Sequence, residues 1–173
     1  MEKIPCLSTY MEKYSVFYLS RYSVTKQKFK TILQRKINKD LYQKKISESQ
    51  YNKSDVVIEL ILEKFIRLNI INDKRNIKAR ISSLVSKGHS LKKITLSLMK
   101  DQYEKNLINL EINNLKNNLD FEIQLIETYC RKKNLVMFDT NFNQNDKDMY
   151  NKTLNKLLRQ GFNLENCLSF MKK

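Results

Sequence analysis

Turn formers are scarce in this chain: 173 residues contain two glycines, Gly88 and Gly161, and one proline, Pro5. A sandwich or barrel of many strands needs a turn signal roughly every ten residues, so this supply disfavours all-β architectures. Tryptophan is absent and His89 is the single histidine. The three cysteines, Cys6, Cys130 and Cys167, are odd in number and widely spaced, with no Cys-x-x-Cys pair. That argues against a disulfide framework and against a zinc site. Cys130 and Cys167 instead fall on apolar helical positions and are expected in the core. A Cys-His nucleophilic pair would have to recruit His89, whose place between Gly88 and Ser90 suits a turn or a partner-facing role better. No apolar run approaches the roughly 18 residues that cross a membrane. Met1 to Tyr10 lacks the charged start, apolar centre and small-residue cleavage site of a secretory signal, so a cytoplasmic location is expected. Glycine loops of the Walker type are missing, and Asp139, Asp146 and Asp148 are the only clustered acids that could hold a catalytic metal. Their surroundings read as a polar loop, so no enzymatic role, metal or cofactor is expected.

What the chain does contain is a phrase written three times. Thr25 precedes Phe29 and Leu33, Ser90 precedes Ile94 and Leu98, and Tyr150 precedes Leu154 and Leu158. Each hydroxyl residue stands four and eight positions before apolar ones, the pattern of an N-cap followed by the buried stripe of a helix. A spacing of about 60 residues is too long for one helical hairpin and suits about three helices per copy. The expected fold is all-α, an elongated array of three tandem three-helix repeats.

Charge is distributed as unevenly as the turn formers are sparse. Residues 1–100 hold 22 Lys or Arg against 8 Asp or Glu, while residues 101–173 hold 11 against 10, within a formal net charge of +15. A surface of that sign attracts phosphates or an acidic protein. Lysine accounts for 26 of the 33 basic residues and alanine occurs once, a usage that AT-rich coding would produce. Such a bias does not place the excess in one half of the chain, so the asymmetry carries more weight than the total.

Apolar spacing fills in the units. After an N-terminal segment, 1–13, the first repeat spans 14–71: a helix with Tyr14, Tyr18 and Tyr22 on one face, expected in the core; a second from Thr25 to about Ile37; a long polar loop, or a frayed extension of that helix, near 38–53; and a third restarting at Ser54 or Asp55 with Val57, Ile61, Phe65 and Leu68, widened by Ile58, Leu62 and Ile66. Arg67 is expected to pair with Glu59 or Glu63. The second repeat, 72–118, is capped by Asn72 or Asp73, carries Ile77, Ile81 and Leu84, and stops at Gly88. Ser90 caps the next helix, with Leu91, Ile94 and Leu98 inward and Lys92 and Lys93 exposed. Its last helix carries Tyr103, Leu107 and Leu110 beside Ile108, Ile112 and Leu115. The third repeat, 119–173, opens with Phe121, Ile123, Ile126 and Cys130, passes a polar loop at 139–148, and ends with Leu154, Leu157 and Leu158, then Leu164, Leu168 and Met171, joined at Gly161 and Phe162.

Several of these stretches resemble one family. Tyr18-Leu19-Ser20-Arg21-Tyr22-Ser23-Val24-Thr25, with Phe29 and Leu33-Gln34-Arg35-Lys36, is similar to the first repeat of the RecX regulators of the bacterial RecA recombinase. Leu68-Asn69-Ile70-Ile71-Asn72-Asp73-Lys74-Arg75 resembles that family's leucine-glycine-tyrosine-leucine-aspartate-aspartate-glutamate-arginine turn. The segment from Lys87-Gly88-His89-Ser90 through Lys92-Lys93-Ile94 to Leu98 resembles its basic second-repeat helix, and Leu158-Arg159-Gln160-Gly161-Phe162 its arginine-glycine-phenylalanine ending. The matches run in the family's order across most of residues 14–171. Asn69 stands where the family has glycine, Asn72 where it has the first aspartate, Lys36-Ile37 lacks the usual closing glycine, and residues 38–53 are longer than the family pattern.

The resemblance implies a non-enzymatic modulator that binds the RecA filament in its helical groove and restrains ATP hydrolysis and strand exchange, within DNA repair, recombination and the SOS response. It also implies contact with single- or double-stranded DNA, and the chain is expected to be a monomer with no membrane association. The outward basic residues are the candidates for such contacts: Arg21, Lys26, Lys30 and Arg35 in the first repeat; Arg75, Lys78, Arg80, Lys87, Lys92 and Lys93 in the second; Arg131, Lys132, Lys133 and Arg159 in the third. Arginine suits planar, bidentate contact with carboxylate or phosphate, and only seven are present in the whole chain. The rival expectation is a helix-turn-helix DNA-binding protein in which the helix after Thr25 or Ser90 enters a major groove.

Overall fold

A computed structural model describes residues 6–118, 120–135 and 144–172, the side chains of 144–146 excepted. Among the described residues every regular element is a helix, as expected of an all-α chain. The chain divides into two units, one of Met1–Asn76 with Asp101–Tyr103, the other of Ile77–Lys100 with Glu104–Lys173.

The first unit contains α1 (Leu7–Leu19), α2 (Lys26–Tyr42), α3 (Glu48–Asn52) and α4 (Ser54–Arg67). Helices α1 and α2 both pack on α4. Helix α1 starts a full turn and more before Tyr14, because Leu7 and Met11 continue the inward stripe toward the N-terminus and are buried. The segment 1–13 is therefore not separate from the first unit, at least from Leu7 onward. Tyr14 and Tyr18 are half-buried against the core, whereas Tyr22 lies past the helix end and is exposed. Thr25 caps α2, its side chain accepting from Lys28 N, and Phe29, Leu33 and Ile37 follow on the buried face. Burying each such side chain contributes roughly 1.5–3 kcal/mol.

The polar loop expected at 38–53 is largely helical. Helix α2 continues to Tyr42 because Asp40, 1% exposed, extends the inner face with a satisfied charge. Its carboxylate accepts hydrogen bonds from Lys36 Nζ, one turn back, and from the Tyr10 hydroxyl at 3.0 Å. Burial opposes the charge on Lys36, but the hydrogen bonds with Asp40 and Tyr10 outweigh it and hold its pKa above 10.5. Lys44 then reverses the chain with a φ of 55°, Ile46 enters the core, and Ser47 and Gln50 form a reciprocal capping box on α3. In α4 the buried positions are Ser54, Ile58, Ile61, Leu62 and Phe65. Val57 is half-buried and Ile66 and Leu68 are exposed, so the true stripe is rotated from the expected one. Glu59 pairs with Lys30 on α2, not with Arg67. Asn69 closes α4 at φ 56°, with the Ile70 and Ile71 amides both donating to the Phe65 carbonyl. Asn72 caps α5 (Asp73–Ser86) by accepting from Arg75 N, while Asp73 accepts from the Lys26 amide.

The second unit takes up α5 from Ile77 and adds α6 (Leu91–Lys100), α7 (Lys105–Lys116), α8 (Phe121–Lys132), α9 (Gln144–Arg159) and α10 (Leu164–Met171). Helix α7 packs on α6 and α8, and α10 on α8 and α9. Its buried side chains include Ile77, Ile81, Leu84, Ile94, Leu98, Ile108, Ile112, Leu125, Ile126, Leu157 and Phe162. Cys130 and Cys167 are buried too, and burial pushes both thiols up to about 11. Leu110 and Leu164, expected inward, are exposed.

The third copy of the repeated phrase is not a helix start. Helix α9 already runs from Gln144, which places Tyr150 inside it, and the buried positions are Thr153 and Leu157, not Leu154 and Leu158. Of the polar loop expected at 139–148, residues 144–148 are helical and the rest lie outside the described residues.

Candidate functional site: a lysine-lined cleft beside a repeated joint

The two genuine copies of the phrase begin with the same set of contacts. Thr25 Oγ1 accepts from Lys28 N at 3.1 Å and donates to the Asp101 carbonyl at 2.9 Å. Ser90 Oγ accepts from Lys93 N at 3.2 Å and donates to the Gln160 carbonyl at 2.6 Å. In both, the lysine three residues after the cap reaches the side chain of the residue whose carbonyl the cap holds: Lys28 Nζ meets Asp101 Oδ1 at 2.9 Å, and Lys93 Nζ meets Gln160 Oε1 at 2.8 Å. Thr25 and Ser90 are buried, and each hydroxyl satisfies two backbone groups of half-buried residues. Asp101 and Gln160 each stand at the end of a helix, just past Lys100 of α6 and Arg159 of α9.

Glycine makes the second joint possible. Gly161 turns the chain at φ 86°, and an added Cβ would come within 3.2 Å of Ser90 Oγ and Lys92 Cδ. Gly88 is held more tightly. At φ 71° its missing Cβ would lie 2.7 Å from Tyr129 N and 2.8 Å from Tyr129 Cα, so only glycine lets the end of α5 rest on the backbone of α8.

That approach brings basic residues of α5, α6 and α8 into one cleft of about 520 Å³, lined by Lys87, His89, Lys93, Tyr129, Lys132, Lys133 and Gln160. Lys132 Nζ donates to the Ser86 carbonyl at the end of α5, and Lys93 is held by Gln160. Lys87 and Lys133 have no side-chain partner among the described residues. His89 Nδ1 is the one buried side-chain nitrogen or oxygen without a hydrogen-bond partner among them. Burial chiefly, and then the charges of Lys93, Lys87 and Arg80, depress the His89 pKa below 6.5, so the ring is neutral at pH 7. Burial, with a smaller effect from Cys130, raises the Tyr129 phenol. Among the described residues no carboxylate lines this cleft.

The structure thus gathers four of the candidates from sequence, Lys87, Lys93, Lys132 and Lys133, and leaves others apart. Lys92 is exposed, but Lys93 is half-buried and hydrogen-bonded, not the free surface lysine expected. Lys30, also expected to be free, is engaged by Glu59. In the first unit Arg21 and Arg75 share the lining of a smaller hollow of about 300 Å³ with Tyr22 and Asn76. The Arg21 guanidinium lies 4.0 Å over the Phe17 ring, and Arg75 Nη2 donates to the Asn69 carbonyl at 3.4 Å. Lys26, Arg35, Lys78, Arg131 and Arg159 are exposed, and Arg80 is half-buried within electrostatic reach of His89. Among the described residues no group of His, Cys, Asp and Glu could hold a metal; Asp139 and the Asp146 side chain lie outside them.

Lys28, Tyr129 and Gln160 were not singled out from sequence. The signal for the first was present: a lysine stands three residues after the cap in both copies of the phrase. No helix of the described residues is long and apolar enough to cross a membrane. Compared with protein-family models, with curated proteins and with solved structures, the chain matches none.

Proposed function

We propose that this protein is a non-enzymatic regulator that binds the RecA filament and restrains its ATP hydrolysis, and that its helices form three tandem three-helix repeats. The observation that carries the reading is the duplicated joint: cap hydroxyl to carbonyl, and cap-plus-three lysine to side chain, at Thr25 with Asp101 and at Ser90 with Gln160. A contact set recurring at the start of two helices 65 residues apart is what successive copies of one repeat would make with the repeat that follows. Two further features support it. Asn69 takes up the left-handed conformation at the position where the RecX pattern has glycine, and Gly88, Gly161 and Asn72 each close or open a helix where that pattern has a turn. The basic residues gathered around Lys87 and Lys133 supply a surface for an acidic partner or a phosphate backbone.

The same joints weigh against the rival DNA reader. A recognition helix presents its N-terminal residues to base edges. Here Thr25 and Lys28 at the start of α2, and Ser90 and Lys93 at the start of α6, are occupied by Asp101 and Gln160. The decisive measurement is ATP hydrolysis by a cognate RecA on single-stranded DNA. Substoichiometric to equimolar protein is expected to inhibit it in a salt-sensitive manner; an unchanged rate, together with tight sequence-specific binding to duplex DNA, would overturn the proposal in favour of the rival.

A further inference from the structure

The cleft of the second unit combines features that a solvated basic patch does not need. Four lysines reach it from three places in the sequence: Lys87 past the end of α5, Lys93 on α6, and Lys132 and Lys133 at the end of α8. Like charges so placed repel one another, and among the described residues no carboxylate lines the cleft to offset that. Two of the ammonium groups are oriented by neutral acceptors, Gln160 Oε1 and the Ser86 carbonyl, which direct their donors without cancelling their charge. Against these stands a buried imidazole nitrogen with no partner. The close approach of Gly88 to the Tyr129 backbone brings two of the basic segments together.

We propose that this cleft binds a phosphate group, either that of a free polyanion such as pyrophosphate or one of a nucleic-acid backbone. Ammonium donors from several directions suit the three-dimensional array of acceptors around phosphorus, where lysine acts as a point charge. The inference rests on the proposed reading of the second unit's lysines as a partner-facing surface, but needs no recombinase to be true. Binding is linked to His89. The groups that face this ring are Arg80 and Lys87 from the α5 side, Lys93 on α6, and Tyr129, Lys132 and Lys133 from α8; Gln160, from the end of α9, is neutral. A phosphate among the lysines screens the cations that add to burial in keeping His89 neutral, so the pKa of the ring rises on binding. By the same linkage, binding tightens as pH falls through the titration range of the ring.

One histidine in the chain makes the test direct. In the full-length protein, untagged, the His89 ring resonances are followed by NMR while pyrophosphate is added, with sodium chloride of equal ionic strength as reference. Pyrophosphate is expected to move the ring resonances saturably and to shift the titration midpoint of His89 to higher pH. The Lys87→Glu/Lys133→Glu double variant, both positions being exposed, is expected to keep its helical circular dichroism and lose about tenfold or more in affinity. Lys78→Glu, a single charge reversal at an exposed position outside the cleft, keeps the response. A shift that chloride reproduces, or one that survives in the double variant, overturns the proposal and leaves an adventitious ion only. A thymidine oligonucleotide that displaces pyrophosphate assigns the site to a nucleic-acid backbone; one that does not compete assigns it to the free anion. Because no RecA is present, a saturable response with unchanged filament ATPase would sink the regulatory reading and keep this site, and the converse result would do the reverse.

Discussion

The joint at Thr25 and the joint at Ser90 share a geometry and differ in one residue's charge. At the first, Lys28 meets the carboxylate of Asp101, and the two charges cancel. At the second, Lys93 meets the amide oxygen of Gln160, and the lysine keeps its full charge while losing its freedom. The backbone architecture survives the exchange because the hydroxyl-to-carbonyl bond is the same in both. What changes is the field around the joint. Next to Asp101 a cation is neutralised, whereas next to Gln160 it joins Lys87, Lys132 and Lys133 around His89. One scaffold contact therefore serves as closure in one place and as part of a charged cleft in the other.

The largest effect is expected where the second joint's surroundings are tightest. Gly88→Ala puts a methyl group within 3 Å of the Tyr129 backbone at a positive φ, so urea denaturation is expected to show a loss of about 3 kcal/mol or more, combining strain with displaced packing. Retention of full stability would mean that α8 does not rest on this turn. Removing the shared element comes next. Ser90→Ala and Thr25→Ala each leave a half-buried carbonyl and an amide without their partner and are expected to cost roughly 1–2 kcal/mol, similar to one another despite the different lysine partners. A markedly smaller loss at one site would break the equivalence of the two joints. The smallest stability effect, and the sharpest for charge, is the swap. Gln160→Glu turns the second joint into the first, adding an ion pair worth under ~1 kcal/mol while weakening anion binding in the cleft; Asp101→Gln does the converse to Lys28. Thermal melts at low and high salt separate these: the Gln160→Glu variant gains salt sensitivity of stability, and its pyrophosphate response falls.

The helical class was legible because apolar residues at spacings of three and four recur throughout, and Thr25, Ser90, Asn72, Gly88 and Gly161 announced helix ends or starts. Periodicity failed where polar residues do the work of apolar ones. Asp40 sits on the buried face of α2 with Lys36 and Tyr10, and a reading by hydropathy ends the helix before it. It failed again in α9, where the hydroxyl of Tyr150 imitates a cap and shifts the stripe by one position from Thr153 and Leu157. The lysines of the cleft were legible one by one, from composition. Their convergence was not, because it depends on the contact of Gly88 with Tyr129, residues far apart in the chain, and no local pattern encodes that.

Among the described residues, four helix ends are turned by residues with side chains: Lys44 at φ 55°, Asn69 at 56°, Gln102 at 61° and Asn134 at 48°. Left-handed backbone costs an ordinary L-residue about 1 kcal/mol, less for asparagine. These turns are imposed by the packing on either side, so the fold tolerates a lysine and a glutamine where local preference resists them. A chain that could relieve this strain by glycine and has not done so keeps a reserve of unclaimed stability.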